Sequence, residues 1–181
     1  MVSSFTIRYA KLADAESVLG IYAPFIINTS ITFEYTVPTL EEYRTRMQKI
    51  MEVYPFLVAE RGDEIIGFAY ATKFRERAAY QWDIETSVYI SEGFQSQGVA
   101  RQLYSKLLLD CESQGFYNAY AVITLPNDKS IAFHLKAGFS KVGVFSKSGY
   151  KKEQWHDVMF LEKQLMVANG IPNAVKGPSK A

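Results

Sequence analysis

The residues with the clearest chemical potential form a short polar turn, Gln95 to Ala100, in front of an amphipathic helix. Apolar side chains that recur at helical spacing from Val99 to Cys111 predict that helix. Such a turn leaves backbone N–H groups unpaired at the positive end of the helix dipole, so it favours an anion such as pyrophosphate. Gly98 would let the backbone approach the ligand closely because it has no Cβ. An ordinary helix-initiating turn is the alternative interpretation.

A strand precedes this turn and carries a carboxylate. From Ile84 to Ile90 apolar and polar side chains alternate, so the strand presents two different faces, and Glu85 lies on the polar one. A carboxylate on a buried strand is costly unless it is paired or functional. Glu85 is therefore a candidate reactive group, with a structural ion pair to a nearby arginine as the alternative.

The remaining patterns predict a mixed sheet with helices on its faces. We expect Pro24 to end or kink the first helix, a Thr39-x-x-Glu42 capping box to start the second, and a long polar connection between the last two strands. The predicted strands are Phe5–Tyr9, Phe56–Glu60, Glu64–Thr72, Ile84–Ile90, Ala119–Leu125, Phe139–Ser146 and Trp155–Leu165. Helices are predicted after Asp14, after Thr39, after Gly98 and over Ser130–Ala137.

Composition is that of one ordinary globular domain. The chain has 181 residues and a net charge of +1, so there is no electrostatic case for a nucleic-acid or anionic-membrane partner. Cys111 is the only cysteine, which excludes an internal disulfide and fits a reducing compartment. With no signal-peptide pattern and no membrane-spanning stretch, we expect a cytoplasmic protein. We expect one domain over residues 1–166 and a disordered Gly/Pro/Lys-rich tail over residues 167–181.

Several motifs together resemble a known family. Gln95-x-x-Gly98-x-Ala100 after a strand resembles the acetyl-CoA signature of the GCN5-related N-acetyltransferases, and the predicted order of elements is that of their fold. The resemblance implies an α/β (α+β) protein with the acyl-CoA N-acyltransferase fold, whose central mixed, mostly antiparallel twisted sheet is splayed at the cofactor site and carries helices on both faces. The stretches that resemble the phosphinothricin acetyltransferase group are Tyr54–Glu60, Ala79–Trp82, Glu85–Ile90, Leu125–Asp128 and Trp155–Val158.

The resemblance implies acetyl-CoA as co-substrate and assigns its contacts. The backbone of Val88, Tyr89 and Ile90 would pair with pantetheine as a further strand would, beside a strand-splaying bulge with an amide that polarises the thioester carbonyl. Asn127 would offer its side-chain amide to pantetheine, and a plain turn residue is the alternative. The residues expected to wrap the pyrophosphate are Ser96, Gln97, Gly98, Val99, Ala100 and Arg101.

The implied reaction is acetyl transfer to the amine of a small, glutamate-like amino acid, so a proton must leave that amine. Glu85 would be the general base, directly or through water. His134 matches the family's motif histidine, which is linked to catalysis, with a structural histidine as the alternative. His156 is interpreted as structural or pocket-lining.

Basic and aromatic residues are the candidates for holding the acceptor. Arg75 and Arg77 lie in the loop before Tyr80, where the family binds the acidic end of its substrate, and a guanidinium can bind a carboxylate or phosphinate bidentately. Solvated loop charges are the alternative. Phe33 is a further candidate. The resemblance implies an arginine directly after it, as in the herbicide-resistance enzymes, but this chain has Glu34 there. Methionine sulfone or sulfoximine therefore stands beside phosphinothricin as a possible acceptor.

Other functions stay open at this stage. An acetyltransferase of polyamines would use acidic residues such as Glu34, and one acting on a protein N-terminus would need an open groove. A CoA-binding module without turnover is less consistent with the presence of both Glu85 and His134. The resemblance also implies a homodimer, and no metal site is expected.

Overall fold

The structure is a computed structural model that describes residues 5–178, and it contains the predicted succession of elements. The order of one strand, two helices, three strands, a helix, a strand, a helix and two strands is confirmed. The strands are β1 (Thr6–Tyr9), β2 (Phe56–Arg61), β3 (Glu64–Lys73), β4 (Asp83–Ile90), β5 (Asn118–Thr124), β6 (Ser140–Lys151) and β7 (Gln154–Gln164). The helices are α1 (Ala15–Asn28), α2 (Leu40–Val53), α3 (Val99–Gln114) and α4 (Asp128–Lys136).

The seven strands form one sheet in the order β1-β2-β3-β4-β5-β7-β6. Every neighbouring pair is antiparallel except β4 and β5, which run parallel. The predicted mixed, mostly antiparallel sheet is therefore confirmed. Because parallel neighbours need a crossover connection, α3 crosses one face of the sheet between β4 and β5.

Helices cover both faces of the sheet, as expected. α1 and α2 pack on one face over an aromatic core, and α3 packs on the opposite face over an aliphatic one. The aromatic core includes Tyr22, Tyr43, Phe56 and Phe68, and the aliphatic core includes Ile84, Leu103, Leu107 and Leu161. The odd-numbered and even-numbered residues of β4 consequently belong to different chemical environments.

Local signals specify the start of α2 but not the end of α1. The Thr39 hydroxyl accepts a hydrogen bond from the Glu42 amide, and the Glu42 carboxylate accepts one from the Thr39 amide, so the capping box is confirmed. Of the two effects expected of Pro24, an end to α1 is ruled out, because the helix continues to Asn28, and a kink stays a prediction. Proline removes the bond to the carbonyl four residues earlier, and here that residue is the exposed Gly20, where water can bind the freed carbonyl.

β6 and β7 form a long hairpin, so the prediction of a long polar connection between them is wrong. Lys152 and Glu153 alone make the turn. Both have positive φ, 50° and 61°, which is the backbone of the tight turns that match strand twist. The strand predicted over Phe139–Ser146 is confirmed but continues to Lys151. Its polar residues 147–151 gave no strand pattern because β6 is an edge strand.

The segment after β7 has no helix or strand, yet it is fastened to the domain. The Trp82 indole donates to the Asn173 carbonyl at 2.8 Å. Lys176 and Gln114 exchange two further hydrogen bonds, each 2.8 Å long. These long-range contacts hold the described part of the segment, and the disorder expected over residues 167–181 stays a prediction. Residues 179–181 lie outside the described part of the chain.

The glycine inside β3 lies at both a bulge and a close approach of β4. The register with β2 shifts beside Ala59, which is the residue opposite Gly67. A Cβ on Gly67 would lie 2.6 Å from Ile90 Cδ1 and 3.0 Å from the Tyr89 carbonyl oxygen. The missing side chain lets β4 pair closely with β3 up to its last residue.

Candidate active site

A gap between β4 and β5 is the central feature of the site. Only three residue pairs join the two strands, and the last is Glu85 with Tyr120. β4 then continues to Ile90 and β5 to Thr124 with no further pairing between them, and a cavity of about 70 Å³ opens there. The predicted splay is confirmed, and the backbone of residues 86–90 has no strand partner on the β5 side.

The splay does not come from a bulge in β4. The register of β4 with β3 is continuous, from Ile84 opposite Lys73 to Ile90 opposite Gly67. The bulge that the resemblance implied is therefore absent from this pairing. The gap arises where the β4–β5 pairing stops.

The turn before α3 has the backbone of an anion site. Ser96 and Gly98 both have positive φ, 62° and 84°, and the left-handed Gly98 is the residue that precedes the helix. Neither a side-chain cap nor an acidic residue occupies the first turn of α3. The Gln97 side chain turns back onto the Gly93 carbonyl at 3.0 Å. Amides at the start of α3 are thus available to a negatively charged ligand.

Asn127 lines the gap and also starts α4. Its side-chain oxygen accepts a hydrogen bond from the Ser130 amide at 3.1 Å, which is a standard N-cap. That bond uses the oxygen only. The side-chain NH₂ has no partner among the described residues, so the helix cap and a contact with a ligand in the gap are compatible.

His134 lines the same gap with its ring in a defined state. Its Nδ1 is 2.8 Å from the Ser130 carbonyl oxygen, which can only accept, so Nδ1 carries the proton and Nε2 has a free lone pair. Burial lowers the pKa of His134, and the bond to the carbonyl offsets only part of that. Ring edges of Tyr104, Phe133 and Phe139 surround the imidazole. A neutral His134 accepts a proton at Nε2 before it can donate one.

Glu85 lies on the aromatic face of β4 without an ion-pair partner. None of the salt bridges within residues 5–178 involves it, and burial raises the pKa of its carboxyl. Burial also raises the pKa of Tyr70. The charges of Glu85 and Glu34 raise this pKa further, whereas a hydrogen bond with Ser87 and the charge of Arg46 lower it. Both carboxylates therefore act electrostatically on the Tyr70 hydroxyl. The structural ion pair, which was the alternative for Glu85, is not present.

The Glu34 carboxylate is hydrogen-bonded by two neighbouring side chains, Arg46 and Tyr22. Arg46 donates two hydrogen bonds to its carboxylate, at 2.7 and 3.1 Å, and the Tyr22 hydroxyl donates a third at 2.8 Å. Burial raises the pKa of Glu34, but these bonds outweigh burial and leave the pKa below its usual range. The negative charge is therefore permanent and compensated by a guanidinium.

Lys151 fastens the segment that carries Phe33 and Glu34. Its side chain is 4% exposed, and Nζ donates to the carbonyls of Ile26 and Thr32 at 2.8 and 2.7 Å. Phe33 itself packs on the Cα of Gly149, in the space a Cβ would occupy, and against the ring of His156, 6.2 Å away. The segment is thus held by the β6–β7 hairpin. His156 is buried and hydrogen-bonded to the Lys151 carbonyl.

The loop between β3 and β4 brings one of the two predicted arginines into an aromatic stack. Phe74 stacks on Tyr120, the partner of Glu85, with centroids 4.0 Å apart. The Arg75 guanidinium lies 4.9 Å from the Phe74 ring and 5.9 Å from the Tyr80 ring. Arg77 is exposed, and within residues 5–178 its side chain makes no hydrogen bond, salt bridge or cation–π contact. Arg75 and Tyr80 therefore belong to an aromatic cluster on Tyr120, whereas Arg77 has no defined partner.

Several functional candidates escaped the sequence patterns. Arg46 and Lys151 lie on a helix and an edge strand whose charged residues are mostly exposed, so nothing local distinguishes them. Tyr70 belongs to an ordinary apolar strand. Thr86 did carry a signal, since it is a polar residue on the apolar face of β4 between Ile84 and Val88.

A mixed sheet opened between its two parallel strands, with an anion-binding turn after the first of them, is the architecture of the acyl-CoA N-acyltransferases. A family profile described as an acetyltransferase (GNAT) domain matches residues 7–160, and the chain belongs to that family. It is an acetyl-CoA-dependent N-acetyltransferase.

Individual relatives cover most of the chain. It is 37% identical to a phosphinothricin N-acetyltransferase of Streptomyces viridochromogenes, over 87% of this chain and 86% of the relative. It is 29% identical to an L-methionine sulfoximine/L-methionine sulfone acetyltransferase of Salmonella typhimurium, over 88% of this chain and 94% of the relative. The crystal structure of a phosphinothricin acetyltransferase from Sinorhizobium meliloti in complex with acetyl-CoA superposes with a TM-score of 0.85 at 34% identity, over 88% of each chain.

Two kinds of feature are missing from the described part of the chain. No group of three or more His, Cys, Asp or Glu residues between 5 and 178 is placed to hold a metal ion. Over the same residues, no helix is long and apolar enough to cross a membrane.

The isolation of Glu85 predicts an effect on stability. Because burial raises the pKa of its carboxyl, the fold favours the protonated form, and stability falls as pH rises through that pKa. Glu85→Gln keeps the shape without the charge. We expect its melting temperature to exceed the wild-type value at neutral pH, with the difference shrinking in mild acid, measured by thermal unfolding.

Glu60→Gln is the matched control. Glu60 pairs with Arg8 at 2.9 Å, and that hydrogen bond holds the pKa of Glu60 below its usual value. Its replacement should lower the melting temperature at neutral pH. A lower melting temperature for Glu85→Gln as well would mean that the Glu85 carboxylate is stabilised by its surroundings.

Proposed function

We propose that this enzyme transfers the acetyl group of acetyl-CoA to the amine of a small amino acid or analogue, of the phosphinothricin, methionine sulfone or methionine sulfoximine type. The observation that carries the proposal is the unpaired Glu85 carboxylate beside the splayed strands. The names of the relatives support the acceptor class. We further propose that the acetyltransferase domain spans residues 1–166.

The proposed co-substrate contacts follow the unpaired backbone. Val88, Tyr89 and Ile90 would pair with pantetheine at the gap, and the Asn127 NH₂ would donate to it. The pyrophosphate would be bound by the amides and side chains of the turn before α3 and its first residues, which are Ser96, Gln97, Gly98, Val99, Ala100 and Arg101. A groove of about 850 Å³ beyond Gly98, lined by Arg101, Lys136 and Lys163, can take the rest of the nucleotide.

The proposed chemistry divides proton handling between two groups. Glu85 accepts the proton of the acceptor ammonium, directly or through water, and its raised pKa makes it a stronger base than an exposed glutamate. The amine then attacks the thioester carbonyl, the C–N bond forms, the C–S bond breaks, and the thiolate leaves. The acylated nitrogen still carries one extra proton, and we propose that His134 accepts it at Nε2 and passes it to the thiolate.

Charge on the acceptor side favours an anionic substrate end over a polyamine. The polyamine hypothesis relied on Glu34, but three hydrogen bonds saturate that carboxylate. Arg46 and Lys151 lie near it, so Glu34 offers no uncompensated negative charge to a polyamine. We propose that Arg75, Arg77 or both bind the acceptor's carboxylate or oxidised end, with Phe33 and Tyr80 forming apolar walls.

We also propose a cytoplasmic homodimer. The buried free thiol of Cys111 is compatible with a reducing compartment. The β6–β7 hairpin carries exposed apolar side chains on the last strands of the sheet, and a second copy could cover them. These side chains are Val142, Val144, Phe145 and Trp155.

Gly98→Trp should abolish acetyl-CoA binding while the protein stays folded, because an indole would fill the space of the pyrophosphate. Isothermal titration with CoA measures it, and circular dichroism reports the fold. Gly62→Trp is the control, since Gly62 also has positive φ and open surroundings but lies in the β2–β3 turn. Unchanged CoA affinity in Gly98→Trp would exclude this turn as the binding site.

Glu85→Gln should lower turnover by about 10²–10⁴-fold with little change in acetyl-CoA affinity, because it removes the base and keeps the shape. Initial rates with a thiol-detecting reagent measure it. The acid limb of the wild-type pH profile should lie above the range of an ordinary glutamate, because the pKa is raised. Wild-type turnover in this variant would exclude Glu85 as the base.

The variants Arg75→Ala and Arg77→Ala test whether these arginines bind the acceptor. Loss of a charge-assisted bidentate contact should raise KM for the amino acid by about 10- to 150-fold, with kcat and KM for acetyl-CoA little changed. The assay panel is methionine sulfone, methionine sulfoximine, phosphinothricin and a diamine. Wild-type KM values in both variants would show that the loop is only solvated, and a diamine as best acceptor would overturn the amino-acid proposal.

A further inference from the structure

A buried hydroxyl lies where the β4–β5 pairing ends. Thr86 is 5% exposed and follows Glu85, the last residue of β4 that pairs with β5. Its Oγ1 is 3.1 Å from the Tyr120 carbonyl oxygen and 2.6 Å from the Tyr104 hydroxyl. Tyr104 is 1% exposed, so both bonds are shielded from water.

The direction of these two bonds follows from the proton count. The Tyr120 carbonyl can only accept, so Thr86 donates its single proton there. The Tyr104 hydroxyl must then donate to Thr86 Oγ1. Each of the three groups has a partner. Removing the Thr86 hydroxyl would leave the buried Tyr104 phenol without its hydrogen-bond partner and would take one donor from the Tyr120 carbonyl.

The hydroxyl joins the three elements that form the cleft. Thr86 belongs to β4, Tyr120 to β5, and Tyr104 to α3, the helix that starts at the glycine turn. The Tyr104 ring also contacts the His134 ring edge-on, with centroids 5.2 Å apart. The Thr86 side chain thus links the gap to the helix that starts at the glycine turn and, through Tyr104, to the imidazole of His134.

We propose that Thr86 is a positioning residue that links β4 to β5 and α3 where the β4–β5 pairing ends, and so keeps the cleft open for acetyl-CoA. Its side chain binds the carbonyl of Tyr120, the last residue of β5 that pairs with β4. Tyr104 holds the threonine in this rotamer and carries the constraint to α3. The proposal rests on acetyl-CoA binding in the gap, and it adds a residue that does not touch the reacting atoms.

The two conservative variants of Thr86 separate the hydroxyl from its shape. Thr86→Val keeps the branched shape and removes the hydroxyl, whereas Thr86→Ser keeps the hydroxyl and removes the methyl group. We expect Thr86→Val to weaken CoA binding by about 10-fold or more, because the buried Tyr104 phenol must find a new partner and the link between β4, β5 and α3 is lost. Thr86→Ser should bind CoA close to the wild-type level. Isothermal titration with CoA alone measures both, alongside melting temperatures.

Tyr104→Phe provides a second route should Thr86→Val fail to fold. It keeps the ring contact with His134 and removes the donor to Thr86. We expect weaker CoA binding in the same direction, and a double variant whose effect is smaller than the sum of the two, because both changes break one network.

Wild-type CoA affinity in Thr86→Val overturns the proposal even if its melting temperature falls, because the residue is then structural only. Wild-type affinity in Tyr104→Phe overturns it where Thr86→Val cannot be studied. The titrations contain no acceptor, so they are independent of turnover. Failure of the wild-type enzyme to acetylate any amino acid would contradict the proposed acceptor and leave these results unaffected.

Discussion

The parting of two central strands is the constraint on which the rest of this structure depends. A sheet gains stability from continuous pairing, and unpaired backbone groups are costly when they are buried. Here β4 and β5 stop pairing after three residues, and the exposed backbone is left for a ligand. The surrounding structure must hold the strands apart, so the continuous β3–β4 pairing, the α3 crossover and the polar contacts of Thr86 all act on the same gap.

The two sides of β4 divide the chemical tasks. The side toward α3 holds the cleft, with Asn127 and His134 at its wall. The opposite side holds Glu85 among tyrosines, where burial keeps the carboxylate basic. Because successive residues of a strand point to opposite faces, one strand can serve both tasks with adjacent residues.

Prediction succeeded where the relevant residues are neighbours in sequence. The turn at Gly98, the capping box at Thr39 and the alternation of β4 each involve residues within about four positions of one another. The order of elements followed from these local signals. Prediction missed residues 147–151 of β6, because an edge strand needs no alternation. The contacts of the tail with Trp82 and Gln114 are long-range, so no local pattern could predict them.

The sequence by itself determined the elements, the family and the residue types available for chemistry, because periodicity, caps and motifs are local properties. Only the tertiary structure decided the electrostatic state of those residues. Glu34 meets Arg46 across 12 positions, Lys151 reaches the Ile26 carbonyl across 125, and Glu85 meets no cation within the described chain. Whether a carboxylate is paired or isolated depends on which distant segments the fold brings together, and residue type alone does not specify that.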